Sequence, residues 1–134
     1  MLSKQAALIY TMVIVSASDR QMPDTELSTI GQIVQGLPVF DGFDSDTLTE
    51  TAATCAEMLS AEEGLETALQ VIDNALPEGL RETAYALAVE IAAADRKVEL
   101  EEMRVLEMVR HRLDIDRLVA AALERAVRAR YAKG

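Results

Sequence analysis

The residues of this chain best placed to do chemistry are carboxylates that recur in pairs. Asp19 and Glu26 stand seven residues apart, and Asp95 and Glu102 repeat that spacing 76 positions later. Their surroundings repeat as well. Val15-Ser16-Ala17-Ser18-Asp19-Arg20-Gln21-Met22 aligns with Ile91-Ala92-Ala93-Ala94-Asp95-Arg96-Lys97-Val98, apolar against apolar at the ends and small against small between them. Further on, Leu27 falls against Met103, Ile30 against Leu106 and Ile33 against Val109. Each unit reads as a buried helix ending in Asp, a short polar loop, and a helix whose first turn is acidic. The helix dipole favours Glu26 and Glu102 near an N-terminus but disfavours Asp19 and Asp95 at a C-terminal end. An anion repeated in an unfavourable place needs a partner. Arg20 and Arg96 could pair with it, backbone N–H groups of the turn could donate to it, or a bound cation could neutralise it. Met22 and Val98 are the single apolar residues of their loops and are placed to meet if a two-fold relates the units.

Other chemistry is sparse. A calcium loop of the EF-hand kind needs a glutamate at its twelfth position, but counting from Asp19 and Asp95 that place is taken by Ile30 and Leu106. His111 is the only histidine, so no two-histidine metal site can form, and its neighbours Arg110 and Arg112 suggest a surface position. Cys55 is the only cysteine, which excludes an intramolecular disulfide and a cysteine-rich zinc site. It lies on an apolar helix face and reads as a buried thiol. Asp41, Asp44 and Asp46 form an acidic loop suited to solvent and to capping a helix. No glycine-rich phosphate loop is present. Catalysis would have to rest on carboxylates alone, and the chain is expected not to be an enzyme.

Helices are the elements that must position these groups. Half of the 134 residues are apolar and only 4% are aromatic, a mixture that fills helix interfaces with Leu, Ile, Val, Ala and Met. Three prolines and six glycines leave material for short connections only. We expect about seven helices in one all-α domain over residues 1–134, with the repeat spanning about 8–36 and 84–112. The first helix, about Ser3 to Ala17, is apolar all round and therefore central. It is too short to span a bilayer and reads as a core helix, not a signal peptide, which makes the chain cytoplasmic. The second opens at Pro23-Asp24 and stops at Gly36. Ser45 or Asp46 caps a third, burying Leu48, Ala52, Cys55 and Leu59. Ser60 and Glu63 have the spacing of a capping box for a fourth, which turns Leu65, Leu69 and Ile72 inward. The fifth, about Glu78 to Ala94, is alanine-rich and forms the second central helix. The sixth covers about Glu99 to Arg112. Asp114 or Asp116 caps the seventh, whose buried stripe is Leu118, Ala122, Leu123 and Val127. The methionines, Met12, Met58, Met103 and Met108 among them, read as core filling.

Charge narrows the partners. The formal net charge is −10, which argues against nucleic acid and limits membrane association to the periphery. It permits cations. The distribution is uneven: residues 19–76 carry 12 acids and one base, whereas residues 103–134 carry eight bases and four acids. That basic end either complements the acidic half internally or docks an acidic partner.

The doubled unit resembles the TerB family, the tellurite-resistance TerB-like domains of bacteria. Ala17-Ser18-Asp19-Arg20-Gln21-Met22 with Glu26, and Ala93-Ala94-Asp95-Arg96-Lys97-Val98 with Glu102, carry the resemblance, which extends over nearly the whole chain. It implies an all-helical fold with pseudo-symmetric halves and a non-enzymatic role in tellurite or wider stress resistance. It also implies metal binding by acids at the helix–loop junctions. Carried over, the ligands are Asp19, Glu26, Asp95 and Glu102, and the cofactor is a divalent cation whose hard oxygen ligands suit calcium, magnesium or manganese. Where the family pattern has glycine after each Asp, this chain has Arg20 and Arg96. The second unit, with Glu99, Glu101 and Glu102, is the more acidic. The other expectation is a ligand-free interaction domain that docks a protein partner through the basic seventh helix or a groove between halves, with a homodimer as a further possibility.

Overall fold

The structure, a computed structural model, describes residues 2–17, 24–94 and 100–134, with residues 24–26 and 100–101 described by their backbone only. Among these residues lie seven α-helices and no strand: α1 (Lys4–Ser16), α2 (Asp24–Gly36), α3 (Leu48–Ser60), α4 (Gly64–Ala75), α5 (Arg81–Ala94), α6 (Leu100–Arg112) and α7 (Arg117–Arg130). Short 3-10 turns at Pro38–Phe40, Ser45–Thr47 and Glu78–Leu80 lead between them.

Helix α1 is the axis of the fold. Every residue from Ala7 to Ser16 is buried, which its uniformly apolar sequence allows. Ser3 caps it by accepting from the Ala6 N–H at 3.0 Å. The buried Thr11 hydroxyl is satisfied inside the helix by donating to the Ala7 carbonyl at 2.8 Å. Helix α1 packs most extensively against α5, then against α3, α4 and α6. Ala84, Ala88 and Ala92 of α5 are buried, and their small side chains let neighbours approach closely. Helix α7 packs chiefly on α5. None of the described helices is long and apolar enough to cross a membrane.

A shift of 76 residues lays α2 onto α6 end to end, from 24–36 to 100–112. The two helices nevertheless bury different faces. Helix α2 buries Ile30 and Val34, whereas their counterparts Leu106 and Arg110 are only half-buried. Helix α6 instead buries Glu102, Val105 and Val109.

Four expectations from the sequence need correction. The 3-10 turn that leads into α3 is capped by Asp44, whose Oδ1 accepts from the Asp46 N–H at 3.0 Å. Ser60 forms no capping box. It ends α3, its hydroxyl donates to the Glu57 carbonyl at 2.6 Å, and Glu63 at the start of α4 lies in the left-handed region at φ 57°. The chain reverses there so tightly that a Cβ on Gly64 would stand 2.3 Å from the Met58 carbonyl oxygen. On α7, capped by Asp116, the buried residues are Ala120 and Val127, and Leu118 is 80% exposed. Met103 is also exposed, not core filling.

Candidate functional site

Of the four carboxylates singled out by spacing, the structure describes one side chain. Asp19 and Asp95 lie outside the described residues, as do the loop residues Arg20, Met22, Arg96 and Val98. Glu26 belongs to the first turn of α2, where only the backbone is described. Glu102 stands in the first turn of α6, and it is the one charged side chain buried among the described residues, with 4% of its surface exposed. Burying an ionised carboxylate is costly unless charge or hydrogen bonds compensate it. In the first turn of α6 the helix dipole favours its negative charge.

In the first unit, α1 ends in Ser16, which is 4% exposed and whose Oγ has no hydrogen-bond partner among the described residues. The oxygen sits three residues before Asp19. Its counterpart in the second unit is the buried Ala92. Among the described residues no three His, Cys, Asp or Glu side chains gather as a metal cluster would require.

The remaining chemistry is quiet. Burial pushes the Cys55 thiol up to about 12, where it is inert as a nucleophile at neutral pH. His111 is exposed and stands 3.9 Å from Glu107 one turn earlier. The loop acids Asp41, Asp44 and Asp46 are all exposed. Among the described residues three ion pairs tie helices together: Arg81 to Asp73 at 2.8 Å, Arg112 to Glu66, and Arg130 to Glu90 at 3.1 Å. The second of these joins the basic end to the acidic half, as internal complementarity requires.

Sequence reasoning passed over a groove between α6 and α7, floored by α5. Its volume is about 640 Å³, and its lining includes Tyr85, Val89, Met103, Leu106, Val127 and Tyr131. The buried Tyr85 hydroxyl donates to Glu124 Oε2 at 2.7 Å. Burial, the Glu124 hydrogen bond and the Glu124 charge raise the Tyr85 phenol well above its ordinary value, against a smaller lowering by Arg110. Arg110 and Glu124 therefore share one end of the groove with Tyr85. Tyr85 on the apolar face of α5 and Glu124, the single acid of α7, were the only signals of this feature in the sequence.

Two findings place the chain among known proteins. The family model described as "Tellurite resistance protein TerB" matches residues 5–125. No curated protein and no solved structure matched the chain.

Proposed function

From the premise that the chain belongs to the TerB family, we propose that it is a non-enzymatic module of tellurite or wider stress resistance that binds a divalent cation through carboxylates at its two helix–loop junctions. The doubled Asp–Glu spacing carries this reading, and Glu102 of its second copy lies buried in the first turn of α6. Glu102 belongs to the pair that the repeat singles out.

The donor chemistry fits. The residues offered are Asp19, Glu26, Asp95 and Glu102, all hard oxygen donors, and the buried Ser16 Oγ, which has no hydrogen-bond partner among the described residues, is a further oxygen close in sequence to Asp19. The four acids suit calcium, magnesium or manganese, and the single His and single Cys disfavour zinc. The bound cation would supply positive charge at the junctions and so brace α1 against α2 and α5 against α6.

The test is thermal unfolding of chelator-treated protein titrated separately with calcium, magnesium, manganese and zinc. Binding to the native state raises the midpoint by an amount that grows with concentration over Kd. We expect a saturable rise with one of the first three, lost in the Asp95→Asn, Glu102→Gln variant and kept in Glu57→Gln, whose side chain is exposed on α3. A flat response in the wild type would sink the cation reading.

A further inference from the structure

We propose that the Ser16 hydroxyl is a neutral oxygen ligand of the bound cation, added to the carboxylates by the first unit alone. The inference rests on the cation reading above and names a residue that the repeated acids do not predict.

Ser16 has the burial of a core residue and the chemistry of a ligand. It is 4% exposed, and among the described residues its Oγ is the one buried side-chain oxygen or nitrogen that meets no hydrogen-bond partner. A buried hydroxyl left unpaired is costly, and native proteins satisfy such groups with protein, water or an ion. A helical serine or threonine has a local remedy, since it can donate to the carbonyl four residues earlier. Thr11 of the same helix does so, to Ala7 at 2.8 Å. Thr51, Thr54 and Thr67 do so in α3 and α4. Ser16 does not, so its oxygen is left for something else.

Its place favours a cation. Ser16 is the last residue of α1, and Ala17 is the C-cap. The helix macrodipole has its negative pole there, where positive charge is stabilised. The last turn of α1 holds no basic residue to supply that charge. Asp19 follows three residues later, no more than about 11 Å away by the reach of the chain. A serine hydroxyl is a hard, uncharged oxygen. It extends a shell of carboxylates around calcium or magnesium without adding to their mutual repulsion. The second unit offers no equivalent, because the counterpart of Ser16 is Ala92, which is also buried.

The experiment compares the wild type with Ser16→Ala and Ser16→Cys, each as the full chain. All are stripped with chelator, dialysed, and titrated with calcium, magnesium and manganese by calorimetry and by thermal unfolding. The wild type and Ser16→Cys are titrated with cadmium as well. In Ser16→Ala the cation that the wild type binds should bind about tenfold more weakly, the lower range for losing a group that organises a metal site. The metal-free variant should melt no lower than the metal-free wild type, because no bonded group has been removed. A residue that only supports the fold would do the reverse, lowering the metal-free midpoint and leaving Kd alone. Ser16→Cys puts a soft sulfur where the hard oxygen was. It should lose affinity for the wild type's cation and bind cadmium more tightly than the wild type, whose Cys55 is buried.

An unchanged Kd in Ser16→Ala would overturn the proposal and assign the hydroxyl to an internal water. Wild-type cadmium affinity in Ser16→Cys would also overturn it. The two readings fail distinguishably. A wild type indifferent to every cation sinks the cation reading and this inference together. A wild type that binds, beside a Ser16→Ala that binds equally well, keeps the carboxylates as ligands and removes Ser16 alone.

Discussion

Tyr85 and Glu124, 39 residues apart in the chain, join α5 to α7 through a 2.7 Å hydrogen bond from the phenol to Glu124 Oε2. Helix α7 is also held by the buried Ala120 and Val127, the half-buried Val119 and Leu123, and the Arg130–Glu90 pair. Hydrogen bonds to charged groups contribute more than neutral ones, but Glu124 can be rehydrated when its partner is lost. Tyr85→Phe should therefore cost about 1–2 kcal/mol. Urea unfolding measures that loss, and amide exchange should rise first in α7.

Alkaline stability follows from the same pair. The folded-state pKa of Tyr85 is raised above the ordinary value of 10.0, first by burial and then by Glu124. The native state thus keeps a proton that the unfolded chain releases. The contribution is complete below pH 10 and is lost as pH climbs toward the folded value. Tyr10 and Tyr131 are raised in the same direction, Tyr10 by burial and the nearby Cys55, Tyr131 by burial and Glu90. The melting midpoint should fall above about pH 10, and Tyr85→Phe should flatten that fall. A midpoint unchanged up to pH 12 in the wild type would contradict the assignment.

Gly64 is required by space, not by its dihedral. An added Cβ would stand 2.3 Å from the Met58 carbonyl oxygen and 2.8 Å from Leu59 backbone atoms, so the α3–α4 reversal would have to open. Gly64→Ala should destabilise by about 2–4 kcal/mol. Gly79→Ala, where a Cβ meets nothing within 4 Å, is the control and should be close to neutral.

Which side of α7 is buried can be checked by two substitutions. Leu118 is 80% exposed and Val127 7%. Leu118→Gln should change stability by less than about 0.5 kcal/mol, whereas Val127→Ala should cost about 1.5 kcal/mol. A loss in Leu118→Gln as large as that in Val127→Ala would return Leu118 to the buried stripe read from the sequence.

Cys55 should report unfolding. With its thiol pushed up to about 12, the thiolate fraction at pH 8 is about 10⁻⁴, and the sulfur is buried. Labelling by an aromatic disulfide reagent should be negligible in the native protein and should keep pace with unfolding in urea.

Local interactions wrote the helices into the sequence. Asp24–Gly36 was legible because a proline and acids open it and a glycine closes it, and Leu100–Arg112 because its pattern repeats that helix 76 residues later. The burial of α1 on every side was legible too, since a helix with no polar face has no side to offer water. The paired spacing of Asp19 with Glu26 and of Asp95 with Glu102 is likewise a fact of sequence. Tertiary packing decided the rest. Alanines and leucines surround α7 widely enough to suggest more than one apolar stripe, and contact with α5 selected Ala120 and Val127 over Leu118. Helices α2 and α6 share a pattern but present different faces to the core at the positions described in both, and Glu102 of α6 lies inside. The sequence placed a carboxylate there, but only the surrounding helices could bury it. The groove is a property of three helices that meet across residues 85–132, and no stretch of sequence contains it. Hydrogen-bond patterns and periodicity act within a few turns, whereas which surfaces meet depends on the shape of the whole bundle.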